Sequence, residues 1–168
     1  ALPISARFGE RLKKFNPPAP KPSHAPIDKH AVDFIIDTVM ASPGEITLVA
    51  TGPMTNLAMA FLQEERLKDN VKRMCLLGGN FVTPGNITPL SEYNIWADAE
   101  AARVVLNQGV ETILVPLDVC EDNRAAASML TRDDLADLEV TADNHPVLAM
   151  IRETFPIYID IWREFFDL

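Results

Sequence analysis

The sequence predicts an α/β domain: an open, mainly parallel sheet with helices on both faces. Three observations predict it. Short, nearly all-apolar stretches recur, EITLVA, RMCLLGG and VETILVPLDVC, and such runs read as strands covered on both faces. Amphipathic stretches at helical spacing separate them. The order is helix, strand, helix, strand, loop, helix, strand, the alternation of a parallel sheet with helices packed on it.

Residues 1–27 are proline-rich and read as an extended arm, leaving 28–168 as the α/β domain. The arm's Arg11, Lys13 and Lys14 read as a solvated face rather than a nucleic-acid site. In DKHAVDFIIDTVMAS the apolar residues Val32, Ile35, Ile36, Val39 and Met40 recur at helical spacing, with Asp28 placed to cap. Pro43-Gly44 stops that helix and EITLVA follows as the first strand. TGPMTN is a tight turn, and MTNLAMAFLQEERL returns to helix. RMCLLGG is the second strand, DAEAARVVLNQG a helix closed by glycine, and VETILVPLDVC the third strand.

The last third differs. TRDDLADLEV reads as a short capped helix, and HPVLAMIRETFPIYIDIWREFFDL as a long amphipathic one. Its stripe of Phe155, Tyr158, Ile159, Trp162, Phe165 and Phe166 suits core packing, with Pro156 expected to kink the helix.

Composition narrows the function classes. A chain of 168 residues, 48% hydrophobic and 23% charged, is long enough for one domain with a real core. A formal charge of −9 argues against a nucleic-acid partner, which wants basic patches. Cys75 and Cys120 stand in or at the end of apolar runs, so buried thiols in a reducing cytosol are expected rather than a disulfide. No run suits a membrane helix and no signal-peptide pattern opens the chain, so a cytoplasmic protein without a membrane partner is expected.

The familiar catalytic strings are missing: no GxGxxG after a strand, no GxxxxGK[ST], no GxSxG and no HExxH. His24 lies in the arm, His30 opens a helix and His145 precedes a proline; each reads as structural. What stands out is GGNFVTPGNITPLSEYNIWAD at 78–98, with Asn80, Asn86, Glu92 and Asn94. It and TGPMTN both leave strand carboxyl ends, where open α/β sheets bind ligands. Amides that both donate and accept, beside one carboxylate, suit a polyhydroxylated ligand such as a sugar. Equally, Asn86, Glu92 and Asn94 could tie the loop to itself through turn-type bonds. The residues alone leave both readings open.

VATGPMTNLAMAF, MCLLGGNFVTPGNITPLSEYNIWADAEAARVVLNQG and ILVPLDVC resemble the middle of an inosine–uridine-type nucleoside hydrolase, with similarity extending from Asp28 to Leu168. The string GN-x-T-x-x-x-E-[FY]-N-I-x-x-D makes the resemblance specific. It implies that family's open, Rossmann-like sheet, here incomplete. It also implies cleavage of the N-glycosidic bond of ribonucleosides to ribose and free base. In that chemistry a calcium ion holds a water molecule and two ribose hydroxyls, and an aspartate takes the water's proton.

Carried over, the resemblance gives Asn86 a ribose hydrogen bond and stabilisation of the charge developing on the ring. Glu92 would grip a ribose hydroxyl, Asn94 would bind hydroxyls close to the metal, and Thr51 would offer calcium its backbone carbonyl. Leu77 stands where many relatives have methionine against the sugar, while Asp98 is expected to cap a helix. A homo-oligomer, dimer or tetramer, is implied as well.

The departures are as informative. The family's Asp-x-Asp-x-x-x-Asp-Asp cluster and its later His-Asp pair have no counterpart here. The 168 residues therefore carry the sugar grip without the general base or most metal ligands, and alone are expected to be inactive. Two explanations compete: a fragment of a longer hydrolase, or a degenerate, non-catalytic nucleoside- or sugar-binding member. Intact Asn86, Glu92 and Asn94 favour the fragment.

Overall fold

The structure, a computed structural model, describes residues 24–120, 131–141 and 145–166. The chain divides into two compact units, one spanning Ile27–Met129 and one joining Ala1–Pro26 to Leu130–Leu168. Most of the proline-rich arm, residues 1–23, lies outside the described residues.

The first unit opens with α1 (Ala31–Ala41). The cap expected from Asp28 is supplied instead by His30, whose Nδ1 accepts from the Val32 N–H at 3.3 Å. His30 directly precedes the first helical residue with extended backbone, whereas Asp28 comes too early to reach the orphan amides. Gly44, at φ 74°, turns the chain after the helix, and its N–H donates to the Asn70 carbonyl at 2.7 Å.

Strand β1 (Thr47–Ala50) leads to α2 (Thr55–Gln63) and the short α3 (Leu67–Asn70). The sequence predicts one helix where two form. At the break Glu64 accepts from both the backbone N–H and the guanidinium of Arg66. These bonds hold the Glu64 carboxyl down to about 2, and they offer the chain a local alternative to the next helical turn. Strand β2 (Arg73–Leu77) follows, then α4 (Tyr93–Ala97), α5 (Ala99–Leu106) and β3 (Thr112–Val115). The third strand is shorter than the apolar run predicts. It stops before Pro116, which has no N–H for the ladder, and Leu117–Cys120 coil into α6.

The three strands form one parallel sheet in the order β1-β2-β3, as the alternation predicts. Register places Ala50, Leu76 and Leu114 in one row and Val49, Cys75 and Ile113 in the next. These adjacent rows point to opposite faces. The first face packs with Val39 of α1, Leu57 and Phe61 of α2 and Val105 of α5 into one core. Met54, Leu67, Met74 and Leu76 are its largest fully buried side chains. On the second face Val49 is 67% exposed and Ile113 45%. The apolar runs thus encode strand propensity on both faces, but burial alternates with the pleat.

In the second unit α7 (Arg132–Thr141) begins with a reciprocal cap. The Asp134 carboxylate accepts the Thr131 N–H at 2.7 Å, and the Thr131 Oγ1 accepts the Asp134 N–H at 3.2 Å. Helix α8 (Pro146–Phe166) starts on a proline, whose missing N–H costs nothing at a helix start, and runs on through Pro156. Arg132 of α7 pairs with Asp160 of α8, and the Phe155 and Tyr158 rings sit 5.9 Å apart. The side chains of Trp162, Phe165 and Phe166, the remainder of the predicted aromatic stripe, lie outside the described residues. Among the described residues no helix is long and apolar enough to cross a membrane.

The alternation of burial is directly testable. Leu76→Ala should lower the unfolding free energy by about 2–5 kcal/mol in urea titrations. Val49→Ala, one row away with its side chain in water, should cost about 0.5 kcal/mol or less. Equal losses would mean that both faces are covered.

Candidate functional site

The site is built where β2 ends. The Gly78 N–H donates to the Val115 carbonyl at 3.0 Å, the last link between β2 and β3. Gly79 then takes φ 78°, a conformation only glycine adopts without strain. Its carbonyl accepts the Leu117 N–H at 2.9 Å, while its N–H donates to Glu92 Oε2 at 3.0 Å. The chain leaves the sheet in an outgoing limb, 79–83, and comes back through 85–94.

The outgoing limb is fastened by a residue to which the sequence reading gave no role. The Asp118 carboxylate, at the start of α6, accepts three successive backbone N–H groups: Phe81 at 2.8 Å, Val82 at 2.6 Å and Thr83 at 3.0 Å. Asn80 Nδ2 donates to the Thr83 carbonyl at 2.9 Å and closes the same turn. The Phe81 amide first, then those of Thr83 and Val82, hold the Asp118 carboxyl down to about 2, because they stabilise only its charged form. The usable signal in the sequence was an acid directly after the third strand, in VPLD.

The returning limb closes on itself. Gly85 N–H donates to the Pro89 carbonyl at 3.1 Å, and Thr88 and Ser91 form an isolated antiparallel bridge. A Cβ at Gly85 would lie 2.3 Å from backbone atoms of both Ser91 and Thr88, so only glycine fits. Asn86 Oδ1 accepts the Tyr93 N–H at 2.8 Å.

Glu92 stands as N-cap of α4, a helix that the long polar loop did not predict. Its Oε1 accepts from Asn94 N–H at 2.8 Å and its Oε2 from Ile95 N–H at 3.0 Å, in addition to Gly79. Glu92 is only 4% exposed and Asn94 8%. Asn94 Nδ2 donates to the Leu77 carbonyl at 3.0 Å. A Cβ at Gly78 would come 3.2 Å from Ile95 Cδ1 and 3.3 Å from Glu92 Oε2 and press on both.

The structure therefore gathers Glu92 and Asn94 against the end of β2, with Asn86 joined to them through Tyr93. The self-tying reading of the loop is real for all three residues. Yet each bond engages only part of a side chain. Asn86 Nδ2 and Asn94 Oδ1 take no part in these bonds, and Glu92 Oε1 accepts only one of them. A donor and two acceptors stay unengaged by these bonds.

The second strand-end turn, TGPMTN, is stitched to this loop. Thr55 Oγ1 donates to Asp98 Oδ2 at 2.5 Å. Asp98 in turn caps α5 by accepting the Ala101 N–H at 3.0 Å, the role expected of it. Thr55 first, and then Ala101, lower the Asp98 carboxyl from its ordinary value. Thr51 is exposed in the same turn and Leu77 is half-buried at the strand end. Among the described residues no group of three or more His, Cys, Asp or Glu side chains could hold a metal ion. Calcium takes six to eight oxygens, so a Thr51 carbonyl alone does not fit it.

This fold and loop define a class. The family model described as inosine-uridine preferring nucleoside hydrolase matches residues 8–167, and the chain belongs to that family. It is 42% identical over 107 residues to the pyrimidine-specific ribonucleoside hydrolase RihB of Escherichia coli O1:K1 / APEC, covering 64% of this chain and 34% of that protein. Among solved structures it resembles a plant nucleoside hydrolase, the PpNRh1 enzyme (TM-score 0.73, 32% identity, 90% of this chain and 46% of that one). It also resembles a purine-preferring ribonucleoside hydrolase from Gardnerella vaginalis (TM-score 0.76, 28% identity, 86% and 44%). The chain spans between a third and a half of the length of these relatives.

Two measurements check the loop. Gly85→Ala should abolish the Thr88–Ser91 bridge and expose 84–92 to limited proteolysis, leaving the amide protection of β2 intact; an uncut loop would contradict the close approach. Asp118 should titrate near 2 by carboxyl NMR. Its folded pKa lies below its ordinary 3.8, so its contribution is complete above that value and is lost as pH falls toward 2. A midpoint near 3.8 would mean the three amides do not hold it.

Proposed function

We propose that this chain supplies the ribose grip of an N-ribosyl hydrolase, which cleaves ribonucleosides to ribose and free base in nucleoside salvage. The observation that carries the proposal is the gathering of Asn86, Glu92 and Asn94 at the end of β2, each with hydrogen-bonding capacity left over. In this reading Glu92 Oε1 and Asn94 Oδ1 accept from ribose hydroxyls, and Asn86 Nδ2 donates to a sugar oxygen. Asn86 would also help to stabilise the charge that develops on the ring as the base departs. Leu77 offers an apolar contact to the sugar.

These residues bind and orient. None of them removes a proton from water: Glu92 is buried and already accepts three N–H groups, a poor arrangement for a general base. Calcium is the metal that the family resemblance implies, but no group of three or more His, Cys, Asp or Glu among the described residues could hold it. Thr51 is proposed only as one carbonyl donor, the others coming from outside the described residues. The proposal includes a homo-oligomer, dimer or tetramer, and a cytoplasmic setting; Cys75 is half-buried and Cys120 exposed, not the buried pair that the apolar runs predict. The relatives named above differ in base, pyrimidine for one and purine for another, so the substrate is given as a ribonucleoside.

A second reading is a nucleoside- or sugar-binding chain without turnover. Two observations favour it for this chain alone: Glu92 is buried beneath three N–H groups, and no group of three or more His, Cys, Asp or Glu among the described residues could hold a metal ion.

Calorimetry with ribose, inosine and uridine, run beside an assay for released base, separates the two. Binding without release supports the second reading, and release supports the first. In either case Glu92→Ala should weaken ribose binding by about 10-fold or more, from the roughly 1.5–3 kcal/mol of a hydrogen bond to a charged group, and Asn86→Ala by about 2- to 10-fold, from the roughly 0.5–1.5 kcal/mol of a neutral one. Unchanged affinity in both variants would refute the grip.

A further inference from the structure

We infer that Asp118 is a positioning residue of this site, fixing the outgoing limb of the loop so that Asn86 is held against Tyr93. The inference deepens the ribose-grip reading and names a residue that the reading does not use. Asp118 lies 35 to 37 positions beyond the amides it binds, so the bonds join the loop to a different part of the fold. Oδ1 accepts from Val82 and Thr83 while Oδ2 accepts from Phe81. A carboxylate has the lone pairs for all three, and bonds to a charged acceptor are the strong ones.

What the clamp holds explains why it is needed. Phe81 and Val82 are 75% and 78% exposed, so their side chains contribute little packing to keep the limb in place. Without apolar burial, a segment of this kind orders only if polar bonds offset its lost conformational freedom. Asn80 Nδ2 binds the Thr83 carbonyl, and that bond joins two residues of the same limb. The ties from the limb to the rest of the fold are Gly79 at its base, through Glu92 and Leu117, and Asp118 at its tip. Pro84 and Gly85 follow immediately, and then Asn86. Release of Thr83 therefore frees the chain three residues before Asn86, whose Oδ1 holds the Tyr93 N–H.

Amide hydrogen exchange on the 168-residue chain reads the clamp directly. Asp118→Asn replaces one acceptor oxygen by an NH2 that faces an N–H donor, and should speed exchange at Phe81, Val82 and Thr83 by 10-fold or more. The positioning role predicts that Tyr93, whose amide does not touch Asp118, speeds up by a similar factor. Met74 and Leu76 in β2 should keep their wild-type rates. Asp118→Glu, which keeps the charge, should restore part of the protection at all four loop amides. Should Asp118→Asn fail to fold, Asp118→Ser, with one acceptor oxygen, gives the same comparison.

Faster exchange at 81–83 with Tyr93 unchanged would overturn the inference, leaving a purely local clamp. Loss of protection in β2 as well would overturn it by making Asp118 a support of the whole sheet. None of these readouts needs sugar. A wild-type chain that fails to bind ribose would refute the ribose grip, while the exchange pattern would still decide whether Asp118 seats Asn86.

Discussion

A single buried carboxylate organises the loop. Glu92 is almost wholly removed from water, and burying a charge without partners is costly. Its partners are the backbone N–H of Gly79 at the end of β2 and those of Asn94 and Ile95 at the start of α4. One side chain therefore meets the first turn of a helix, which welcomes negative charge, and the glycine by which the chain leaves the sheet. Remove it and three backbone donors, one buried and two half-buried, lose their acceptor, while the two ends of a long polar loop lose their join.

The rest of the site follows from that join. Asn94 can reach the Leu77 carbonyl because Glu92 sets the first turn of α4. Gly78 has no side chain where one would press on the carboxylate, and Gly85 has none where the returning limb folds onto Ser91. Asp118 performs for the outgoing limb what Glu92 performs for the base of the loop: a carboxylate gathers successive amides that no strand or helix satisfies. What this internal network leaves over is one donor and two acceptors on Asn86, Glu92 and Asn94. The self-tying is observed, and the proposed binding would use the atoms that it does not engage.

Much of this was legible in the sequence because it is local. Alternating apolar and amphipathic stretches gave the parallel sheet, and Asp98 before AEAA gave a helix cap that the structure bears out. The family resemblance, carried by the loop string and TGPMTN, is matched by the family model across nearly the whole chain. The misses have physical reasons. α4 has five residues, too few to show a period, and its cap is a glutamate rather than the usual short side chain. His30 displaced Asp28 because reach, not residue type, decides a cap. The third strand ended at a proline inside an apolar run. Asp118 stands out in the sequence only as an acid directly after the third strand; its partners lie dozens of positions away, and no spacing rule connects an acid to amides that distant. The exposed row of Val49 and Ile113 was hidden by residue type, since an apolar side chain reads the same whether or not anything covers it.

The central claim is that the leftover donor and acceptors on Asn86, Glu92 and Asn94 meet a ribose. A titration of the isotope-labelled chain with ribose, followed through its side-chain amide signals, tests this most directly. The account predicts saturable shifts of the Asn86 and Asn94 side-chain amides, with the Gly79 and Ile95 backbone amides, bound inward to Glu92, moving much less. If the Asn86 and Asn94 signals stay fixed at saturating ribose, or the shifts fall outside 77–98, the loop is tied only to itself and the account is wrong.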